Sequence, residues 1–422
     1  RGHPGHPGHP GHPDSTDSTD STDSTDSTDS TVIVVHIIAA LFGAALVFAV
    51  LISALETVVL PRDGYTRIAR FVFAVADRIL VRRWRNEDRR ANLRALYAPV
   101  ALVSLPLVWM LSVTFGFSFI YWAISHDTAQ RSFEISGSSL FTLGFAEPDG
   151  TARIWLTFVE ATIGLGLVAL LISYLPTIYA AHHEREKGIS VLKPFATTPP
   201  SPVSLLANLQ LLDALDNPEL WRTSASWVLD LDQTHTAFPA LCYFPEASPE
   251  ESWVASVGSL LDAAALLLSA SDFNTEEHAA DEIKGPVMAL AYGLPSLVTI
   301  GRSAGLPIER PRLVMDLLAR SAEPAPDISV HRDEYMAALD RLHPLLDVPE
   351  DQREQCWRRF AWTRSGYDEA LRGLAGLTLA SPAEWTTDRP ATVGRPRIFT
   401  NRPIDIDWSV AVTPAEPQPP AA

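Results

Sequence analysis

The stretch SSLFTLGFAEPDG, residues 138–150, decides how the rest of the chain is read. It lies between two long apolar runs. It is too short to be a domain and too apolar for an ordinary loop, and the carboxylates Glu147 and Asp149 follow directly on Thr-Leu-Gly-Phe. A chain that places such a segment between two membrane-length helices needs a reason for it.

Working outward, three apolar stretches reach membrane length: residues 32–60 (VIVVHIIAALFGAALVFAVLISALETVVL), 96–124 (LYAPVALVSLPLVWMLSVTFGFSFIYWAI) and 154–181 (IWLTFVEATIGLGLVALLISYLPTIYAA). Each exceeds the roughly 20 residues needed to cross about 30 Å of hydrocarbon. Backbone amides in lipid need internal partners, so all three are expected to be helices. Tyr121, Trp122 and Trp155 fall where interfacial aromatics belong. The loop 61–94 holds ten Arg against four acids, which places it on the cytoplasmic side. The loop 125–153 has only Arg131 and Arg153 and faces out. The N-terminus is then outside and the large C-terminal region inside. Within the basic loop, Ile68, Val72, Val75, Ile79 and Leu80 recur at helical spacing, which suits an amphipathic helix along the inner leaflet or, in the plainer reading, a solvated linker.

The outer loop therefore has room for a short helix that dips into the membrane and returns as extended chain, over residues 132–149. Irregular backbone at that depth survives only where protein buries it or it lines a wet cavity. One chain cannot surround a central pore with two such helices; four copies can.

At this point the residues carry a resemblance. FTLGFAEP resembles the potassium-channel selectivity filter, whose usual text is T-V/L-G-Y/F-G-D. Glu160, Gly164 and the following LVALLISYLP resemble the inner helix of two-helix pore modules. The chain is similar to a bacterial family of potassium-channel-like membrane proteins with an extra first helix, which here ends in Leu60-Pro61-Arg62. Residues 172–192, 198–206 and 239–268 also resemble that family, so the likeness spans roughly residues 32–270.

The resemblance implies a homotetramer that passes monovalent cations, potassium above all, across a lipid bilayer. Carbonyls of Thr142, Leu143, Gly144 and Phe145 would replace the ion's hydration shell, with the Thr142 hydroxyl at the inner end. Gly144 matches a position where glycine supplies unusual dihedrals. Ala146 departs from the family, which has a second glycine there. If that site needs positive φ, alanine costs about 1–2 kcal/mol per chain. A distorted, non-conducting pore serving as a membrane sensor or scaffold is therefore the alternative. Glu147 stands where the family has Asp, and with Asp149 it would ring the outer mouth, unless both are simply solvated. Glu160 is an ionisable group in a membrane helix, expected to hydrogen-bond behind the short helix near Ser136 or Ser139. Gly164 and Gly166 allow close packing or bending, and Pro176 removes a helix hydrogen bond, so the third helix is the expected gate. Pro99 and Pro106 read as packing features.

The net charge of −17 is uneven: residues 1–60 carry −6, 61–94 carry +6, 95–186 carry −4 and 187–422 carry −13. One short basic block in an acidic chain argues against nucleic-acid binding. Cys242 and Cys356 lie far apart, at no metal spacing, and read as reduced thiols. Residues 1–31 are Gly-His-Pro and Asp-Ser-Thr repeats, expected to be disordered, with weak transition-metal binding as a lesser reading. His182-His183-Glu184-Arg185-Glu186 lacks metalloprotease spacing and reads as a charged helix end.

After a linker over 187–202, residues 203–410 read as a cytoplasmic helical domain and 411–422 as a disordered tail. Asn217-Pro218 starts a helix, and Ser248 with Glu251 suggests a capping box. Residues 253–269 are short for a span and carry Asp262, so they read as a buried helix. Helices are expected near 275–300, 309–320, 331–345 and 350–378, with alternation suggesting strand only near 397–410. No phosphate loop, nucleophile elbow or cofactor motif occurs, so no enzyme and no cofactor are expected. The fold class is thus all-α: three transmembrane helices, a re-entrant helix with its filter loop, and an all-α cytoplasmic domain.

Overall fold

The computed structural model describes residues 23–58, 97–125, 127–244, 246, 248, 250–271, 279–378 and 380–389. The basic segment 61–94, the possible strand near 397–410 and the tail lie outside the described residues. Within them the chain is helical throughout, with no strand: α1 (Asp23–Val58), α2 (Tyr97–Ile124), α3 (Ala129–Leu140), α4 (Thr151–Ala196), α5 (Pro202–Leu211), α6 (Pro218–Ala237), α7 (Trp253–Ala270), α8 (Ala279–Ser303), α9 (Val314–Ala319), α10 (Arg332–Arg341), α11 (Arg353–Ser365) and α12 (Asp368–Thr378).

Among the described residues, four helices are long and apolar enough to cross a membrane: α1, α2, α4 and α7. They differ in burial. The most apolar windows of α1 and α4 are each 17% buried within the protein, that of α7 89%. An apolar helix that the protein itself covers needs no lipid.

Two differences from the sequence reading concern boundaries. α1 begins at Asp23, inside the repeat tract expected to be disordered. Propagating an existing helix costs far less than nucleating one, so the apolar run can carry poor helix formers with it. At the other end, α4 does not stop at 186. It continues to Ala196, and Ile189, Leu192 and Ala196 lie in a hydrophobic core with α5–α12 residues. The charged HHERE stretch and Pro194 hid an apolar stripe at helical spacing, so the linker shrinks to the short turn before α5.

The chain divides into two compact units, Arg1–Ala49 with Leu111–Gly164 and Val50–Met110 with Leu165–Ala422. In the first, α1 lies close against α2. A Cβ on Gly43 would stand 2.3 Å from the Gly116 carbonyl oxygen, so the backbones meet where both side chains are absent. Phe42 meets Phe119 edge-on at 5.3 Å, and His36 packs on Trp122 at 4.8 Å.

In the second unit, α7 is the central helix, packed against α5, α8, α11 and α12. Its Asp262 is fully buried and paired with an equally buried Arg364, Nη1 to Oδ1 2.6 Å. Tyr367 donates its hydroxyl to the same Asp262 oxygen at 2.7 Å, and Arg364 also reaches Asp368 and the Trp385 carbonyl. A buried charge so supplied explains an acid in an apolar helix. Asn217 caps α6 as expected, accepting from the Glu219 amide at 3.0 Å with Pro218 in the first turn. The expected Ser248–Glu251 box does not form: Ser252 is the N-cap of α7, and Glu251 instead meets Lys193. The 350–378 helix is two, α11 and α12, with Gly366 at the break.

Candidate functional site

The segment after α3 is where the singled-out residues gather. α3 is short, starts at the Thr128 cap and buries Ser132, Ile135, Ser136, Ser138 and Leu140. It ends in a tight hydrogen-bonded stop: the Thr142 amide donates to the Ser139 carbonyl at 3.1 Å and the Leu143 amide to the Ser138 carbonyl at 2.8 Å. This is the bonding of a Schellman stop, which wants a left-handed residue just past the cap. Thr142 fills that place at φ 54°, and Gly144 follows at φ 72°. Leu143, Phe145 and Ala146 are not at positive φ.

The glycine question at 146 therefore resolves differently from the conditional reading of the sequence. Ala146 sits in ordinary backbone, buried at 6% exposure, and its amide donates to the Ser138 hydroxyl at 3.1 Å. The strain falls on Thr142, a β-branched residue in the left-handed region, at a cost of about 1–2 kcal/mol. Phe141, Leu143 and Phe145 are exposed, the last two at 64% and 65%. Glu147 and Asp149 are exposed, and the Glu147 carbonyl accepts from Arg131 at 3.2 Å. Arg153 pairs with Asp127 at 2.7 Å across the two ends of the 125–153 connection.

Behind α3 lies a buried polar knot. Glu160, on α4, has no exposed surface. One carboxylate oxygen accepts from the Tyr121 hydroxyl of α2 at 3.0 Å; the other is bonded by the Ser136 hydroxyl of α3. The Ser136 hydroxyl also lies 2.9 Å from the Thr114 carbonyl, and its one proton serves one acceptor at a time. Three helices thus meet on one acid. The sequence reading named Ser136 or Ser139 as its partner; the structure gives Ser136 and adds Tyr121. Close by, a Cβ on Gly164 would stand 2.2 Å from the Leu140 carbonyl oxygen, so α4 can touch the end of α3 only through a glycine. Gly166 is exposed with open space around it. α4 runs unbroken through Pro176, whose missing amide leaves the Ile172 carbonyl without its usual partner.

Further along α4, in the second unit, the HHERE stretch has a use of its own. The Arg185 guanidinium is wholly buried and donates to the Leu241 carbonyl at 3.0 Å, the Phe244 carbonyl at 3.4 Å and Glu186 at 2.9 Å. Tyr174 meets Phe238 and Tyr179 meets Phe244 edge-on, and the His182 ring lies tilted against Phe244. A Cβ on Gly188 would stand 2.0 Å from the Trp227 indole nitrogen. Among the described residues no group of three or more His, Cys, Asp or Glu is placed to hold a metal. Two titratable groups near this clamp are displaced by their surroundings. Burial, with the Arg185 charge, pushes His235 down to about 3, and burial pushes Glu246 up to about 7.

Sequence reading gave Ser138 no role, placed Tyr121 among the interfacial aromatics and Arg185 in a solvated helix end; Tyr121 and Arg185 are instead buried and hydrogen-bonded. A serine beside an apolar turn, a tyrosine in an apolar helix and one Arg beside two His and two Glu give no signal of which faces inward. No family model, curated protein or solved structure matched the chain.

Proposed function

We propose that this chain is one subunit of a homotetrameric cation channel in a lipid bilayer, passing potassium through backbone carbonyls of Thr142, Leu143, Gly144 and Phe145. In this reading α1, α2 and α4 cross the membrane, α3 is a re-entrant helix, and α5–α12 form a cytoplasmic domain. The N-terminus lies outside. No covalent step is involved; an ion exchanges water for carbonyl oxygens and moves on.

The observation that carries the reading is the backbone after α3. Positive φ alternates along it, at 142 and 144 but not at 143 and 145. Alternation of this kind turns successive peptide units the same way, so their oxygens can share an axis. The side chains of Leu143 and Phe145 are left uncovered by their own subunit. Segments like this are tolerated in a membrane only when protein covers them, and neighbouring copies supply the cover. Glu147 and Asp149 would ring the outer mouth and draw cations to it. Glu160 and Gly164 hold the re-entrant helix to the lining helix. Gly166, with its free surroundings, and Pro176 are the points at which α4 would bend as a gate.

The test is rubidium uptake into potassium-loaded proteoliposomes holding the full chain, with sodium as the competing ion. Selective uptake by the wild type is the expected result. Silence in both the wild type and Ala146→Gly would overturn conduction and leave a non-conducting membrane sensor or scaffold.

A further inference from the structure

We propose that Ser138 is the positioning residue of the ion path, holding the 143–146 backbone from both ends. The inference rests on the channel reading above and concerns how that path keeps its shape without the second glycine.

One residue supplies both holds. The Ser138 carbonyl accepts the Leu143 amide at 2.8 Å, and its hydroxyl accepts the Ala146 amide at 3.1 Å. Between them, Gly144 and Phe145 have no hydrogen-bond partner among the described residues. The free span is therefore bridged by a single side chain and its own carbonyl. Ser138 is 2% exposed and Ala146 6%, so water is shut out of the hydroxyl–amide bond. A buried amide stripped of its acceptor is costly to leave unmade.

This arrangement also accounts for alanine at 146. With its amide turned back onto α3, residue 146 sits outside the left-handed region, and a methyl group is admitted where glycine is not required. Ser138 and Ala146 act as a pair. A longer or apolar side chain at 138 would lose the acceptor; glycine at 146 would keep the amide but loosen the backbone that presents it.

The experiment uses the full chain in lipid with Ser138→Ala, Ser138→Thr and Ser138→Cys. Two readouts are taken: amide hydrogen exchange of the peptide covering 141–147, and the rubidium-to-sodium uptake ratio. Ser138→Ala should exchange about tenfold faster over that peptide, the size expected for one buried amide left without its acceptor. Exchange of α2 and α4 should not change. The uptake ratio should fall toward one while total uptake persists, and Ser138→Thr, which keeps the hydroxyl, should restore both. Unchanged exchange and an unchanged ratio in Ser138→Ala would overturn the proposal. If Ser138→Ala does not assemble, Ser138→Cys, whose sulfur is a weaker acceptor, must still exchange faster than the wild type, or the proposal fails. A wild type with no uptake would sink the channel reading alone; the exchange arm would still decide the role of Ser138.

Discussion

Thr142 holds a backbone conformation that its Cβ opposes, and it does so just past the end of a helix. Glycine is the usual occupant of that place. Strain of this kind persists where the surroundings over-determine it and where a function needs the geometry. Thr142→Gly should therefore stabilise the protein by about 1 kcal/mol, read by thermal unfolding in detergent, and lower rubidium selectivity because the hydroxyl is gone. A rise in neither stability nor sodium leak would show that the threonine is there for some other reason. Gly164 and Gly166 of α4 make a sharper contrast. Gly164→Ala drives a methyl into the Leu140 carbonyl and should abolish uptake or assembly, whereas Gly166→Ala meets open space and should assemble normally. At Glu160, alanine would leave the buried Tyr121 hydroxyl without its acceptor, while Ser136 keeps the Thr114 carbonyl, and should cost about 1–3 kcal/mol. Glutamine keeps an acceptor and should cost less; equal losses for both would argue that charge, rather than hydrogen bonding, holds the knot.

At the scale of the element, the sequence was most readable where periodicity and length act alone. The long apolar runs are helices because lipid or core leaves the backbone no other partner, and Asn217-Pro218 starts α6 because both residues suit a first turn. Where neighbours decide, sequence was silent. Ser248 and Glu251 have capping spacing, yet α7 starts further on, with the Ser252 hydroxyl accepting from the Ala255 amide and Glu251 lying outside the helix against Lys193. The loop's residue types were legible, while the alternation of φ and the role of Ser138 depend on a turn that only three-dimensional packing fixes. Arg185 is the clearest case. Beside His182, His183, Glu184 and Glu186 it reads as solvated charge, but its guanidinium is sealed against two main-chain carbonyls. Arg185→Ala should strand both, at about 1–3 kcal/mol each, and lower the unfolding midpoint by several degrees. Gly188→Ala should do the same by displacing Trp227. If either variant melts like the wild type, the C-terminal part of α4 is not held as described.

At the scale of the whole molecule, acid and base act on opposite groups. The native state keeps His235 unprotonated down to about 3, while the unfolded chain takes up that proton near 6.5. Lowering pH through that window therefore favours unfolding. Glu246 works the other way: the native state holds its proton up to about 7, the unfolded chain releases it near 4.5, and raising pH through that window favours unfolding. The two slopes oppose each other between about 4.5 and 6.5. His235→Asn should flatten the acid loss and Glu246→Gln the loss toward neutrality, each read as the unfolding midpoint of the full chain from pH 4 to pH 8. Parallel pH curves for all three proteins would mean that neither group is shielded from water.

The last turns of α4 also have a practical bearing on how the protein can be dissected. Ile189, Leu192 and Ala196 sit in the same apolar core as Leu205, Leu209, Trp221 and Val257. A truncation begun at the proline-rich stretch would strip that core of one wall and shed the guanidinium plug over Leu241 and Phe244. Such a fragment would come out of the cell as aggregate, and binding studies on it would report on exposed grease. A recombinant piece that begins near Tyr174 carries its own wall, and its solubility would show where one folding unit ends and the next begins.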